Sequence, residues 1–471
     1  MSVTRLPVIQ PAAATRETGA VRGDGRRPRI VPADVRGRFD RGRRVVFAAL
    51  IGLWAALPWI HVRGAPAVFL DVEARRFFLF GATFNAQDAW LLFFLLSGVG
   101  FGLVYATMLA GRAWCGWACP QTVFLEGVYR RIERLVEGPR EKHLRRDAGP
   151  LTFDRVLRKA AKHGLFLAAS LFVAHIFLAY FVSLPRAFAM VRSSPGAHPE
   201  AFAWVLAVTA LAYGNFAWFR EQFCVVMCPY GRLQSVLLDD DSLVVGYDMK
   251  RGEQRGKKGQ ATGDCVDCNR CVVVCPTAID IRDGLQLDCV ACTACIDACD
   301  DVMTRLGRPR GLIRYDSTNG LRGSPRRIVR PRFVLYSVML LAGGVVALLA
   351  TRTRTDFEVL ASRLPGAPYT LDAGNVRNAF DLHVVNKRGE RAVFDVRAET
   401  PAGVEAIVPI ARVEIAPLGA THLPLFLTMP QAQFTHDAKV SVRVAREGAA
   451  ATDVIVVPIT FLGAAASGGS R

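Results

Sequence analysis

Uncharged stretches alternate with short basic ones along this chain, and the uncharged stretches are of two kinds. Val45–Val62, Ala89–Gly111, Gly164–Pro185, Ala201–Phe219 and Phe333–Ala350 each run without an Asp, Glu, Lys or Arg. Each approaches the roughly 20 residues that a helix needs to cross a bilayer. One such run could be a buried core helix; five, each flanked by charge, predict five membrane spans. Beyond residue 351 the period becomes two. Phe380, Leu382 and Val384 share one strand face, Val440, Val442 and Val444 another, and Val454 and Val456 a third. Pro401-Ala402-Gly403 and Arg446-Glu447-Gly448 mark turns between the runs. Short alternating runs at this spacing predict a small antiparallel β-sandwich. The first forty residues are rich in Pro, Gly and Arg without an apolar run. They predict a disordered tail and no secretory leader. Gly463–Arg471 has the composition of a flexible terminus.

Charge orients this pattern. The formal net charge is +18, although 51% of the residues are hydrophobic. A soluble chain so basic would suggest nucleic acid, but here the basic residues border the apolar runs, which points to membrane topology. Arg41, Arg43 and Arg44 precede the first run, and Arg130, Arg131, Arg134, Arg140, Lys142, Arg145 and Arg146 lie between the second and third. Arg322, Arg326, Arg327, Arg330 and Arg332 precede the fifth. The other two loops hold only Arg63, Arg75, Arg76 and Arg186, Arg192. Positive charge stays inside. The N-terminus and residues 251–332 are therefore expected in the cytoplasm, and the C-terminus outside.

Eight cysteines repeat one spacing. Cys265, Cys268, Cys271 and Cys275, followed by Pro276, read C-x2-C-x2-C-x3-C, and so do Cys289, Cys292, Cys295 and Cys299. This is the bacterial ferredoxin run for 4Fe–4S clusters, in which the fourth cysteine serves the other cluster. The predicted ligand sets are Cys265, Cys268, Cys271 and Cys299 for one cluster, and Cys289, Cys292, Cys295 and Cys275 for the other. Zinc sites use thiols in two pairs, which does not fit. Disulfides would need an oxidising compartment, against the cytoplasmic placement. Asp300 stands where the second run might have its own proline.

The other four cysteines form two C-x3-C-P motifs, Cys115 and Cys119 before Pro120, and Cys224 and Cys228 before Pro229. Each follows an outside-to-inside span, so the pairs are expected to meet on the side of the iron–sulfur segment. A single pair would be unremarkable packing, because cysteine is a common small buried residue. Two matched pairs beside two redox centres point to a thiol site suited to Cu(I), or to a redox or quinone pocket. Met227 is expected to pack rather than ligate. His175, mid-span, and His61, at an outer end, are weak as haem ligands. Arg220-Glu221-Gln222 reads either as a local charge network or as a cluster at headgroup level. Gly252-Glu-Gln-Arg-Gly256 lacks the strand-to-helix setting of a phosphate cradle.

The stretches Gly111–Gln121, Cys224–Arg232, Arg251–Gly256, Cys295–Met303 and Gly311–Tyr315, with both ferredoxin runs, resemble the cytochrome c oxidase accessory family that includes CcoG, FixG and RdxA. Val376-Arg-Asn378 and Asn386 are similar to the start of that family's immunoglobulin-like periplasmic domain. Ala278 departs from the glycine expected after Cys275-Pro276-Thr277. The resemblance implies a protein of the bacterial inner membrane that reduces Cu(II) to Cu(I) while a cbb-type oxidase is assembled. It implies two 4Fe–4S clusters as relay, and Cys115, Cys119, Cys224 and Cys228 as a transient copper site. Its partners would be a copper chaperone or transporter, the oxidase subunits and an unidentified electron donor. A homodimer stays open. The motifs also resemble NapH- and NosR-type carriers of electrons from quinol to a periplasmic reductase. A third reading is an assembly scaffold without turnover. The expected division is tail 1–44, four spans with both C-x3-C-P motifs in 45–250, a ferredoxin segment 251–332, a fifth span 333–350 and the immunoglobulin-like domain 351–471.

Overall fold

Long helices account for most of the apolar runs in the computed structural model, which describes residues 30–62, 65–73, 76–85, 88–256, 263–352, 355–372, 374–448 and 454–463. Of the tail 1–44 expected to be disordered, residues 1–29 fall outside these, as do 464–471 of the C-terminal tail, whereas 38–44 are helical. Among the described residues four helices are long and apolar enough to cross a membrane: Ala89–Ala110, Phe153–Val182, Pro199–Gly214 extended by the wide turn Asn215–Phe219, and Pro331–Arg352. The first run differs from expectation. Its helix starts early, at Arg38, and stops at Ala56. A short turn Leu57–Trp59 and a strand His61–Val62 follow. Pro58 lacks an amide hydrogen and cannot extend a helix interior. Five arginines and aspartates in the first two turns take this helix out of the apolar class.

The chain divides into two compact units, 1–71 with 92–345, and 72–91 with 346–471. In the first unit, the iron–sulfur segment is closed by a two-stranded antiparallel pair. Val244–Tyr247 aligns with Ile313–Asp316, so one strand lies ahead of the expected boundary at 251. Its core packs Val245, Tyr247, Ile281, Ile296, Met303, Leu312 and Ile313. The Ala294–Arg305 helix grows out of the second cysteine run. Asp300 sits inside that helix, where proline would break it, and its carboxylate accepts from the Gly311 amide at 2.9 Å.

The second unit is a β-sandwich. One antiparallel sheet orders Glu405–Ile407, Ala420–Pro430, Asn375–Asn386 and Phe357–Arg363, with Thr370–Asp372 also paired to Asn375–Asn386. The other orders Arg412–Ile415, Ala392–Glu399, Ala438–Arg446 and Val454–Phe461. Phe380, Leu382 and Val384 face inward as expected, and so do Val440, Val442 and Val444. The last strand takes the opposite parity: Ile459 and Phe461 are buried, whereas Val456 is 50% exposed. Asn378 and Asn386 are fully buried stitches. Asn378 Nδ2 donates to the Leu462 carbonyl at 2.7 Å and its Oδ1 accepts from the Leu462 amide at 3.0 Å. Asn386 Nδ2 reaches the Glu390 and Ala416 carbonyls at 2.9 and 3.1 Å.

Candidate functional site

The two cysteine runs fold alike. Asp267 and Asn269 in the first, and Ala291 and Thr293 at the equivalent positions of the second, all take positive φ, between 50° and 63°. These left-handed residues curl each loop inward, and a short helix leaves from its third cysteine. Arg282 holds the first curl. It is buried, and donates to Asp280, to Asp267 Oδ1 at 2.6 Å and to Asn269 Oδ1 at 2.6 Å. Arg251 of the Arg251–Gly256 stretch clamps the entrance by donating to Asp264 Oδ2 and to the Arg310 carbonyl at 3.0 Å.

Two cavities result. Cys265, Cys268, Cys271 and Cys299 line one, with Tyr247, Leu312 and Ile313. Cys275, Cys289, Cys292 and Cys295 line the other, with Val245, Ile279 and Ile281, and Cys271 at the shared wall. Burial first, then neighbouring sulfurs, pushes the thiols up: Cys271, Cys289 and Cys299 to about 12, and Cys292 to about 11. Buried thiols so close together resist ionising unless cations lie among them. A thiolate-ligated iron cluster meets that requirement, and four sulfurs per cavity fit one.

The C-x3-C-P motifs also share one local geometry. Cys119 and Cys228 have extended backbone, and each is the residue before a helix whose first position is proline, Pro120–Phe124 and Pro229–Leu237. Proline suits a first helical turn, where its missing N–H has no partner to lose. Cys115 lies in the preceding short helix Ala113–Trp117, and Cys224 in the wide turn Phe223–Met227. Each pair is thus split across a break, not stacked along one helix. The four sulfurs are electrostatic neighbours: Cys224 feels Cys119, Cys115 and Cys228, and Cys119 feels Cys228. Burial pushes Cys115 up to about 11 and Cys224 to about 12, with the other sulfurs adding to it. Cys115 Sγ donates to Gln234 Oε1 at 3.5 Å. Met227, expected to pack, is instead exposed. His175 bonds the Leu171 carbonyl of its own helix at 2.8 Å, and His61 the Trp59 carbonyl at 3.0 Å.

Most residues that join the thiols to the ferredoxin loop fall inside the stretches Gly111–Gln121 and Gly311–Tyr315, whose motifs do not reveal this role. A Cβ on Gly116 would lie 2.4 Å from the Ala291 carbonyl oxygen, so only glycine permits this approach. Arg112 donates to the Leu287 and Cys289 carbonyls of the second run and to the Gly231 carbonyl beside the second C-x3-C-P motif. Trp117 Nε1 donates to Tyr315 Oη at 3.1 Å, and that hydroxyl donates to the Ala291 carbonyl at 3.0 Å. Arg43 Nε donates to the Gly116 carbonyl at 3.0 Å. Their partners lie far away in sequence, which spacing alone does not reveal.

Arg220-Glu221-Gln222 resolves into a buried charge network. Arg220 meets Glu133 at 3.0 and 3.1 Å, and Arg130 pairs with Glu221 and Glu126. Glu133, Glu137 and His143 gather three metal-type side chains. Lys162 and Lys159 already reach Glu137 at 3.2 and 2.8 Å, so cationic side chains neutralise these carboxylates. The network anchors the turn that carries Cys224.

Two cavities each lined by four cysteines, in a chain with membrane-length apolar helices, define a membrane iron–sulfur redox protein. Comparison with known proteins agrees. A 4Fe-4S dicluster domain matches residues 219–318, a 4Fe-4S binding domain matches 91–139 and 198–239, and the IG-like fold at the C-terminal of FixG matches 345–464. The nitrogen fixation protein FixG of Rhizobium meliloti is 35% identical over 92% of this chain and 92% of its own. Protein RdxA of Cereibacter sphaeroides is 35% identical over 85% and 89%, and RdxB of the same organism 34% over 80% and 83%. The chain belongs to the FixG/RdxA family.

Proposed function

We propose that the protein passes single electrons from a cytoplasmic donor to Cu(II) held by Cys115, Cys119, Cys224 and Cys228, yielding Cu(I) for assembly of a cbb-type oxidase. The packing of the Cys289–Cys292 loop on the Gly116 turn carries this reading, because it seats the turn between Cys115 and Cys119 on the loop that lines one cavity. Cys265, Cys268, Cys271 and Cys299 would hold one 4Fe–4S centre, and Cys275, Cys289, Cys292 and Cys295 the other. A cluster so held supplies a one-electron couple. The chain's own residues do the rest. Arg282 fixes the first loop, Val245, Ile279 and Ile281 exclude water, and Arg112 and Tyr315 hold the loop on the thiol turn. As an ion enters, the raised thiols release their protons. Sulfur ligands favour the reduced ion, so one added electron converts bound Cu(II) to the form the site prefers. Onward delivery is to a copper chaperone or transporter and the oxidase subunits.

This arrangement calls for five crossings, the Arg38–Ala56 helix being the added one. Asp297 of the ferredoxin helix accepts from the Phe39 and Asp40 amides, so the Arg38–Ala56 helix starts on the cluster side. Sixteen residues or so further on, the Trp54 carbonyl accepts from Tyr180, near the far end of the Phe153–Val182 helix. With the arginine distribution, this favours a cytoplasmic N-terminus and ferredoxin part, and a periplasmic β-sandwich, in a bacterial inner membrane.

The test is Cys115→Ala with Cys224→Ala in anaerobically purified protein. Iron is expected unchanged, with copper binding lost and cupric reduction lowered at least tenfold. Cys268→Ala or Cys292→Ala should lower iron instead. Unchanged copper reduction together with failed quinol-dependent cluster reduction would replace this reading by the quinol one. Normal oxidase assembly without any redox turnover would favour the scaffold.

A further inference from the structure

The outward face of the larger sheet carries a histidine pair that the electron relay does not use. His383 and His422 are direct partners across the antiparallel strands Asn375–Asn386 and Ala420–Pro430. Their rings stack with centroids 4.4 Å apart and planes 16° from parallel. Asp381 lies two residues from His383 and so on the same face. Its Oδ2 accepts from His422 Nδ1 at 2.6 Å. The His422 side chain nevertheless stays 66% exposed.

This is the arrangement of a metal-binding imidazole. A carboxylate on one ring nitrogen fixes the tautomer and turns the lone pair of the other nitrogen outward. The cross-strand partner imidazole is the second donor: lone pairs lie in the ring planes, so the two rings turn out of the stack to meet on one ion. Neighbouring positions on this face are not competing cations: Leu360 pairs with His383, and Ser362 with Asp381.

We infer that His383 and His422 bind a divalent late transition-metal ion, Cu(II) before any other, with Asp381 as the positioning carboxylate. Imidazole nitrogen suits these ions, and divalent affinity peaks at Cu(II). Two protein donors on an open surface leave the remaining coordination positions to water, which allows rapid exchange. The site is separate from the four thiols and needs no electron transfer, so it stands or falls independently of the cupric reductase reading.

The experiment uses the full chain in detergent with its clusters oxidised, carrying Cys115→Ala and Cys224→Ala so that those thiols neither bind nor reduce the probe. One equivalent of Cu(II) is expected to give an electron paramagnetic resonance spectrum with hyperfine structure from two nitrogens. His383→Ala and His422→Ala should each remove one nitrogen and weaken binding at least tenfold. Asp381→Asn should weaken it about tenfold while both nitrogens remain, a split that a merely structural role would not produce. Thermal unfolding without metal, unchanged in all three variants, excludes misfolding as the cause. A two-nitrogen spectrum that persists in both histidine variants would overturn the assignment, as would a parent spectrum without nitrogen hyperfine structure.

Discussion

Ala278 stands where its family is expected to have glycine, and its φ of 55° is the left-handed conformation that glycine adopts without strain. An L-residue there costs roughly 1–2 kcal/mol. Ala278→Gly should therefore stabilise the ferredoxin segment by about 1 kcal/mol, read as a higher midpoint of cluster loss on heating. A lower midpoint would show that Ala278 makes contacts worth more than its strain. The cysteines were legible because cluster chemistry imposes a spacing that survives any fold around it. Arg282, Arg112 and Gly116 were not, because each acts on a backbone segment whose nearness only folding creates. Asp300 looked like a missing proline and is instead a helical residue bonded to Gly311.

At the level of elements, the helix opening at Arg38 lacks its own cap. Gly37 has no side chain to serve the first amides, and Asp297 serves them from 257 or so residues away along the chain. A Cβ on Gly37 would come within 2.1 Å of the Asp297 carboxyl carbon, so the glycine makes room for its substitute cap. Asp297→Ala should cost about 1 kcal/mol, the usual worth of an N-cap, measured as a fall in the thermal midpoint of the purified protein. No fall would mean that water serves those amides equally well. Apolar length predicted the four helices long enough to cross a membrane. The first run was mis-bounded because its helix begins in charged residues that a hydropathy pattern discards. In Val454–Phe461 the inward parity was unreadable, since valine and isoleucine occupy both faces of its first half.

For the whole molecule, the close seat of the Cys289–Cys292 loop on the Gly116 turn makes a rigid join. Gly116→Val should push the Ala291 carbonyl away, keep iron content, and slow electron arrival at the thiols at least tenfold in stopped-flow reduction. An unchanged rate would show that the join is not on the route. Compartment-sensitive reporters fused after residues 300 and 400 should report cytoplasm and periplasm respectively; an external signal at 300 would reverse the topology. The immunoglobulin-like sandwich was readable from its period of two. How the ferredoxin segment borrows Val244–Tyr247 was not, because pairing with Ile313–Asp316 is a long-range event.

The cap that Asp297 gives to Phe39 and Asp40 also sets an order in time. A ribosome adding roughly 5–20 residues per second takes about 13–50 s to travel from one to the other. Throughout that interval the leading amides of the first helix lack their partner. They gain it only when the Ala294–Arg305 helix forms, and that helix starts within the second cysteine run. The oldest segment of the chain is therefore completed only after the ferredoxin helix has folded, and until then water serves its first amides.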